Sequence, residues 1–164
     1  MPASLWEIKV PDINGETFDF ETRKGKVMLI CNVARNCGMA VPEYSGILAL
    51  SEKYAEKDFE IILFPCNQFL SLEPGTEAEI AESIKTKFGI VSGQGGFMIM
   101  AKSNVNGKDT SPTYTFLKNQ KGCDGHIAWN YKGKFLVKKD GSIVALRDTP
   151  AKECARAIDE ALAA

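Results

Sequence analysis

The side chains best suited to chemistry in this sequence are thiols, at Cys31, Cys37, Cys66, Cys123 and Cys154. Cys37 has the most reactive setting. It follows the apolar run Val27–Val33, precedes an apolar pattern of helical period, and has Gly38 beside it to permit close backbone approach. A helix N-terminus presents unpaired N–H groups and about half a positive charge, which favours thiolate over thiol. Such a setting lowers a cysteine pKa below its usual value of about 8.5, and the thiolate is the nucleophile. Attack on a peroxide O–O bond would leave a sulfenic acid. On spacing alone, a buried and inert cysteine at the same strand-helix turn fits equally well.

The other thiols read differently. Cys31 lies inside the apolar run and is expected in the core. Cys66 follows Phe64-Pro65 at the matching end of the next strand, which would bring it near Cys37. Cys123, between Gly122 and Asp124, is expected in an exposed, mobile loop, and Cys154 on a terminal helix that buries it. There is no Cys-x-x-Cys pair, and the one histidine, His126, gives no zinc spacing. Five scattered cysteines do not make a disulfide framework. No flavin, nicotinamide or metal motif is present, so no cofactor is expected beyond a thiol co-substrate.

These residues need elements to position them. Ile8–Val10 and Thr17–Phe20 flank Asn14-Gly15, a strong hairpin signal. Val27–Val33 and Phe59–Phe64 read as strands buried on both faces. A helix is predicted from Pro42 to Tyr54, and another to Phe88, with Thr76 and Glu79 forming a capping box. Phe97–Met100 reads as a strand and Thr113–Leu117 as a helical segment. Phe135–Val137 and Ile143–Leu146 form a hairpin, and a last helix runs from about Pro150 to Leu162. The alternation predicts one α/β domain over residues 1–164, with a mixed central β-sheet flanked by helices and an N-terminal β-hairpin.

At 164 residues, 45% hydrophobic, 25% charged and net charge -1, the chain has a globular composition. That balance recommends neither nucleic acid nor a membrane surface as partner. Lys118, Lys121, Lys132, Lys134, Lys138 and Lys139 read as a solvated rim. No apolar run approaches the roughly 20 residues of a membrane span, so no stable membrane insertion is expected. The N-terminus has no secretory pattern and Leu162-Ala163-Ala164 is no peroxisomal tripeptide. The expected location is cytoplasmic, or organellar where a leader has been removed.

Several blocks together resemble the glutathione peroxidase family in its cysteine-containing, non-selenium form. They are Asn32-Val33-Ala34 to Cys37-Gly38, Phe64-Pro65-Cys66-Asn67-Gln68-Phe69, Glu73-Pro74-Gly75, Val105-Asn106-Gly107, Trp129-Asn130, and Lys134–Val137 to Asp140-Gly141. Their order and spacing are the family's, and they cover most of the chain. The resemblance implies a thioredoxin-like fold and reduction of hydrogen peroxide and organic or lipid hydroperoxides. It puts Cys37 at the peroxidatic position and adds Trp129 and Asn130 to the catalytic site. An indole N–H and a carboxamide are neutral donors that can stabilise a thiolate or a developing oxyanion. Read without the family, Trp129 would be a core aromatic and Asn130 a turn residue.

The chain departs from the family pattern twice. Leu72 stands where a site glutamine is expected, and Gln68 belongs to a different family position. Lys85 stands where the thioredoxin-dependent branch carries its resolving cysteine, which leaves Cys66, Cys123 or Cys154, or an external thiol, to attack the sulfenic acid. Gly93–Phe97 is similar to the Gly-rich loop of tetrameric members, but their insertion between Leu117 and Trp129 is missing, so a monomer is expected. The implied partners are a hydroperoxide and glutathione or a thioredoxin-like protein. A dithiol reductase lacks its Cys-x-x-Cys here, and a peroxiredoxin its Pro-x-x-x-Thr/Ser-x-x-Cys. The alternative of another class is a non-catalytic peroxide sensor or binding module on the same fold.

Overall fold

Val27–Val33 (β3) and Phe59–Pro65 (β4) are buried along their whole length, as two nearly continuous apolar runs require. In the computed structural model, which describes residues 2–164, they pair in parallel from Val27 opposite Phe59 to Val33 opposite Pro65. Earlier in the chain, Lys9–Pro11 (β1) and Thr17–Asp19 (β2) form a separate antiparallel hairpin. Asn14-Gly15 lies in its turn, where the Asp12 carboxylate accepts the amides of Asn14 and Glu16 at 2.9 and 3.0 Å.

Phe97–Ile99 (β5) extends the parallel side of the main sheet, while Phe135–Val137 (β6) and Ile143–Ala145 (β7) complete the other side antiparallel. The strand order is β5-β4-β3-β6-β7. This is the expected mixed sheet, with β3 at its centre.

Alternation along β3 and β4 sorts the core into two clusters. Val27, Leu29, Cys31 and Val33 pack with Tyr44 and Ile47 of Ala40–Lys53 (α1), Ile80 and Ile84 of Glu77–Phe88 (α2), and Ile158 of Ala155–Ala163 (α4). Met28, Ile30 and Phe64 face the other way, onto Phe18 and onto Tyr114 and Leu117 of Pro112–Lys118 (α3). The α2 capping box is present, with Thr76 Oγ1 accepting the Glu79 amide at 3.2 Å.

The last helix differs from the expectation. A short 3-10 turn, Ala151–Glu153, precedes α4. This turn presses on α1 at Gly46, where a Cβ would lie 2.7 Å from Lys152 N. The free amide of Ala151 at the start of this turn donates to the Glu43 carboxylate at 3.0 Å.

Candidate active site

After Val33 the chain leaves the sheet and turns tightly. The Cys37 amide donates to Ala34 O at 3.3 Å and the Ala40 amide to Cys37 O at 3.0 Å. α1 starts at Ala40, so Gly38 and Met39 separate Cys37 from the helix. The Met39 amide reaches back to Cys37 Sγ at 3.5 Å. A backbone N–H aimed at sulfur beside a helix N-terminus stabilises negative charge there. Cys37 is 7% exposed, whereas the other four cysteines are at most 1% exposed.

The segment carrying Trp129 and Asn130 is fastened to the same end of β3 by Asn32. The Asn32 carboxamide donates to Trp129 O at 3.2 Å and accepts the Gly133 amide at 2.8 Å. The Tyr131 amide donates to Asn32 O at 3.0 Å, and Tyr131 Oη donates to Ala34 O at 2.7 Å. Gly133 is required, because a Cβ there would lie 2.8 Å from Asn32 Oδ1. Trp129 and Asn130 therefore join the sheet end from which the Cys37 turn departs.

Asn130 is fully buried, and both polar atoms of its carboxamide lack a protein partner among the described residues. A buried amide left unpaired costs free energy. Trp129 is half-buried, packs on Phe69 with ring centroids 5.7 Å apart, and belongs to the borders of both core clusters. The arrangement places two neutral side chains, an indole and a carboxamide, at the sheet end from which the Cys37 turn departs.

The family model described as glutathione peroxidase matches residues 5–118. The chain belongs to the glutathione peroxidase family. It is 41% identical over 144 residues to the glutathione peroxidase-like peroxiredoxin gpx1 of Schizosaccharomyces pombe, covering 87% of each chain. Among solved structures it is similar to the T. cruzi GPX1 crystal structure, at TM-score 0.72, 28% identity and 98% and 97% coverage. A thioredoxin family thiol:disulfide interchange protein from Chlorobium tepidum, at TM-score 0.60, 14% identity and 99% and 97% coverage, shares the fold alone. The fold is thioredoxin-like, and the chain is a peroxidase, an oxidoreductase of the hydroperoxide-reducing type.

Within this peroxidase the remaining thiols are shielded. Burial pushes the Cys31 thiol up to about 12 and the Cys154 thiol up to about 11, and it raises those of Cys66 and Cys123. Cys31 donates its proton to Asn32 O at 3.4 Å, Cys66 to Gln68 Oε1 at 3.6 Å and Cys154 to Pro150 O at 3.5 Å. Cys66 leaves β4 at the base of the Cys37 turn, its amide donating to Val33 O at 3.1 Å, but its thiol does not face the same way: it packs in the α3-side cluster and Cys37 in the α1-side cluster. The expected exposure of Cys123 fails too. Its thiol is in the core, and Arg147 pins its loop by donating to Cys123 O, to Gly125 O at 3.3 Å and to His126 O at 3.2 Å.

Leu72 does border the Cys37 turn, since its carbonyl accepts the Asn36 amide at 3.1 Å and its side chain packs on the α1-side cluster. Gln68 cannot replace the family glutamine. Its carboxamide accepts from the Val105 and Asn106 amides at 2.7 and 3.0 Å and donates to Asn106 O at 2.9 Å. Lys85 is exposed on α2. Leu70 and Ser71 hold left-handed backbone at φ +58° and +52°, and Leu70 is 77% exposed. A separate cleft of about 410 Å³, lined by Phe64, Met100 and Ser111, lies on the α3 side and presents no comparable chemistry.

Three groups near the site escaped the sequence reading. Asn32 is one, and a polar residue inside an apolar strand was its visible signal. The second is Arg35–Glu73, joined at 2.5 Å, which ties the Cys37 turn to Glu73-Pro74. Burial raises the Glu73 carboxyl pKa despite the Arg35 guanidinium. The third is the ion pair of Lys134 with Glu43, both buried. It corrects the solvated-rim reading of the lysines, as does Lys118, whose ammonium donates to Val105 O at 2.5 Å and Asn106 Oδ1 at 3.1 Å. No spacing rule pairs Glu43 with Lys134.

Proposed function

We propose that Cys37 is the peroxidatic nucleophile and that Trp129 and Asn130 assist it. The observation carrying this reading is the unpartnered Asn130 carboxamide, buried on the segment that Asn32 and Tyr131 bind to the base of the Cys37 turn. The Cys37 thiolate attacks one oxygen of ROOH, the O–O bond breaks, and the sulfur becomes a sulfenic acid while RO⁻ takes a proton and leaves as alcohol or water. A reductant thiol then condenses with the sulfenic acid, releasing water and forming a mixed disulfide. A second thiolate attacks that disulfide, restoring the Cys37 thiolate and carrying the oxidising equivalents away as its own disulfide. The chain's own groups stabilise the thiolate and the departing oxyanion, so the cycle uses no cofactor beyond the thiol co-substrate.

Among the described residues Val41 and Leu70 are the exposed large hydrophobics, at 69% and 77% exposed, and both belong to segments bordering the Cys37 turn. This apolar rim favours organic and lipid hydroperoxides over hydrogen peroxide. The burial of Cys66, Cys123 and Cys154 favours an external reductant, glutathione or a thioredoxin-like protein, over an internal resolving thiol. We also read the protein as a cytoplasmic monomer. No described helix is long and apolar enough to cross a membrane.

Steady-state peroxide consumption by the Cys37→Ser variant tests the assignment. The variant is expected to be inactive, and undiminished turnover would refute the role of Cys37. Turnover of the parent with a thiol reductant separates a peroxidase from a sensor, which would react once and stop.

A further inference from the structure

Lys134 is 1% exposed and Glu43 4% exposed, and their ion pair lies wholly inside the protein. Removing two charges from water is costly, and an apolar pair of the same volume often stabilises a core as well or better. Stability alone therefore does not account for the pair. Its remaining hydrogen bonds point to another use.

Lys134 Nζ donates to Tyr131 O at 2.7 Å. Tyr131 follows Asn130 and has φ +64°, a left-handed conformation uncommon for a bulky side chain. Such a residue is strained and persists where its surroundings over-determine it. Here the surroundings hold its amide at Asn32 O, its hydroxyl at Ala34 O and its carbonyl at Lys134. The chain reversal at Tyr131 comes directly after the two donors. At the other end of the pair, Glu43 belongs to the first turn of α1, whose N-terminus borders Cys37, and its second oxygen accepts the Ala151 amide.

We propose that the Glu43–Lys134 pair is a positioning device that locks the Tyr131 reversal to α1 and so sets Trp129 and Asn130 against Cys37. Neither residue touches substrate; both act through the segment they hold. The proposal rests on the reading that Trp129 and Asn130 serve Cys37.

The test uses the full chain carrying Trp6→Phe, which leaves Trp129 as the single tryptophan. In that background, Glu43→Leu with Lys134→Met restores packing without charge. The double variant is expected to fold, to shift the Trp129 emission, and to slow stopped-flow oxidation of Cys37 by on the order of tenfold to a hundredfold. Lys134→Arg, which keeps the charge and a donor, is expected to recover most of the rate and the parental emission. Parental rate and emission in the double variant would overturn the proposal. Should the double variant not fold, Glu43→Gln, which leaves Lys134 without its counter-charge, is expected to melt below the parent and to show the same shifted emission and slowed oxidation, and parental rate and emission in it would equally overturn the proposal. If Trp129→Phe and Asn130→Ala leave oxidation unchanged, the assisting roles fail, whereas the emission of the double variant still reports whether the pair sets the segment.

Discussion

Asn32 Nδ2 donates to the carbonyl of Trp129 across 3.2 Å, joining the end of the central strand to a residue 97 positions later. Its Oδ1 takes the Gly133 amide at 2.8 Å, so one buried carboxamide spans both ends of the five-residue segment 129–133. The nucleophile's strand and the donors' segment are thus registered by a single side chain.

Asn32→Ala is expected to leave the Gly133 amide and the Trp129 carbonyl with one buried partner fewer. The loss should be about 1–3 kcal/mol for each group left unsatisfied. Urea melts should show the destabilisation, and stopped-flow oxidation of the folded variant should be slower than parental. An unchanged rate would mean that Trp129 and Asn130 are held without Asn32.

Leu72→Gln restores a donor at a position tied to the Cys37 turn through the Asn36 amide. Removing an oxyanion donor from an enzyme typically costs 100-fold or more. A donor added to an unadapted site is expected to recover a smaller part, a rise of about tenfold in the oxidation rate. No rise under single-turnover conditions would show that the side chain at 72 does not reach the reacting sulfur.

The five thiols are expected to react in a fixed order. Iodoacetamide on the native protein should label Cys37 first, and label Cys31, Cys66, Cys123 and Cys154 only on unfolding, since burial raises all four. After one equivalent of peroxide, mass spectrometry should find Cys37 as a sulfenic acid or its trapped adduct. A disulfide from Cys37 to Cys66 or Cys123 would require the sheet-side packing of those thiols to open, and its appearance would contradict the external-reductant reading.

Lys134 supplies a pH signature. Burial drives its pKa down, but the neighbouring Cys31 and the hydrogen bond and charge of Glu43 outweigh burial and hold it above the usual lysine value. A group whose pKa is raised by folding contributes stability that is full below its unfolded pKa, about 10.4, and that fades as pH rises through the folded value. The parent should therefore lose stability above about pH 10 more steeply than Lys134→Met. At neutral pH the single variant leaves Glu43 unpaired and should be less stable by about 3–5 kcal/mol. Parallel alkaline profiles would show that Lys134 does not titrate in this window.

Local pattern made much of the fold legible. The two nearly continuous apolar runs became β3 and β4, the Thr76–Glu79 signature became the α2 cap, and the motif blocks identified the family. These features depend on neighbours a few residues apart, which a linear reading sees directly. Which face each thiol occupies was a tertiary decision. Cys66 follows a strand at the same level as Cys37, but the side-chain alternation of β4 sends it into the opposite cluster. Cys123 sits among loop residues, but Arg147 draws that loop onto the core. Polar contacts are short-ranged and indifferent to sequence separation, so the Asn32–Trp129 and Glu43–Lys134 links exist only once the sheet brings distant segments together. The sequence determined by itself that a cysteine would stand at the end of the central strand before a helix; the tertiary structure decided what stands around it.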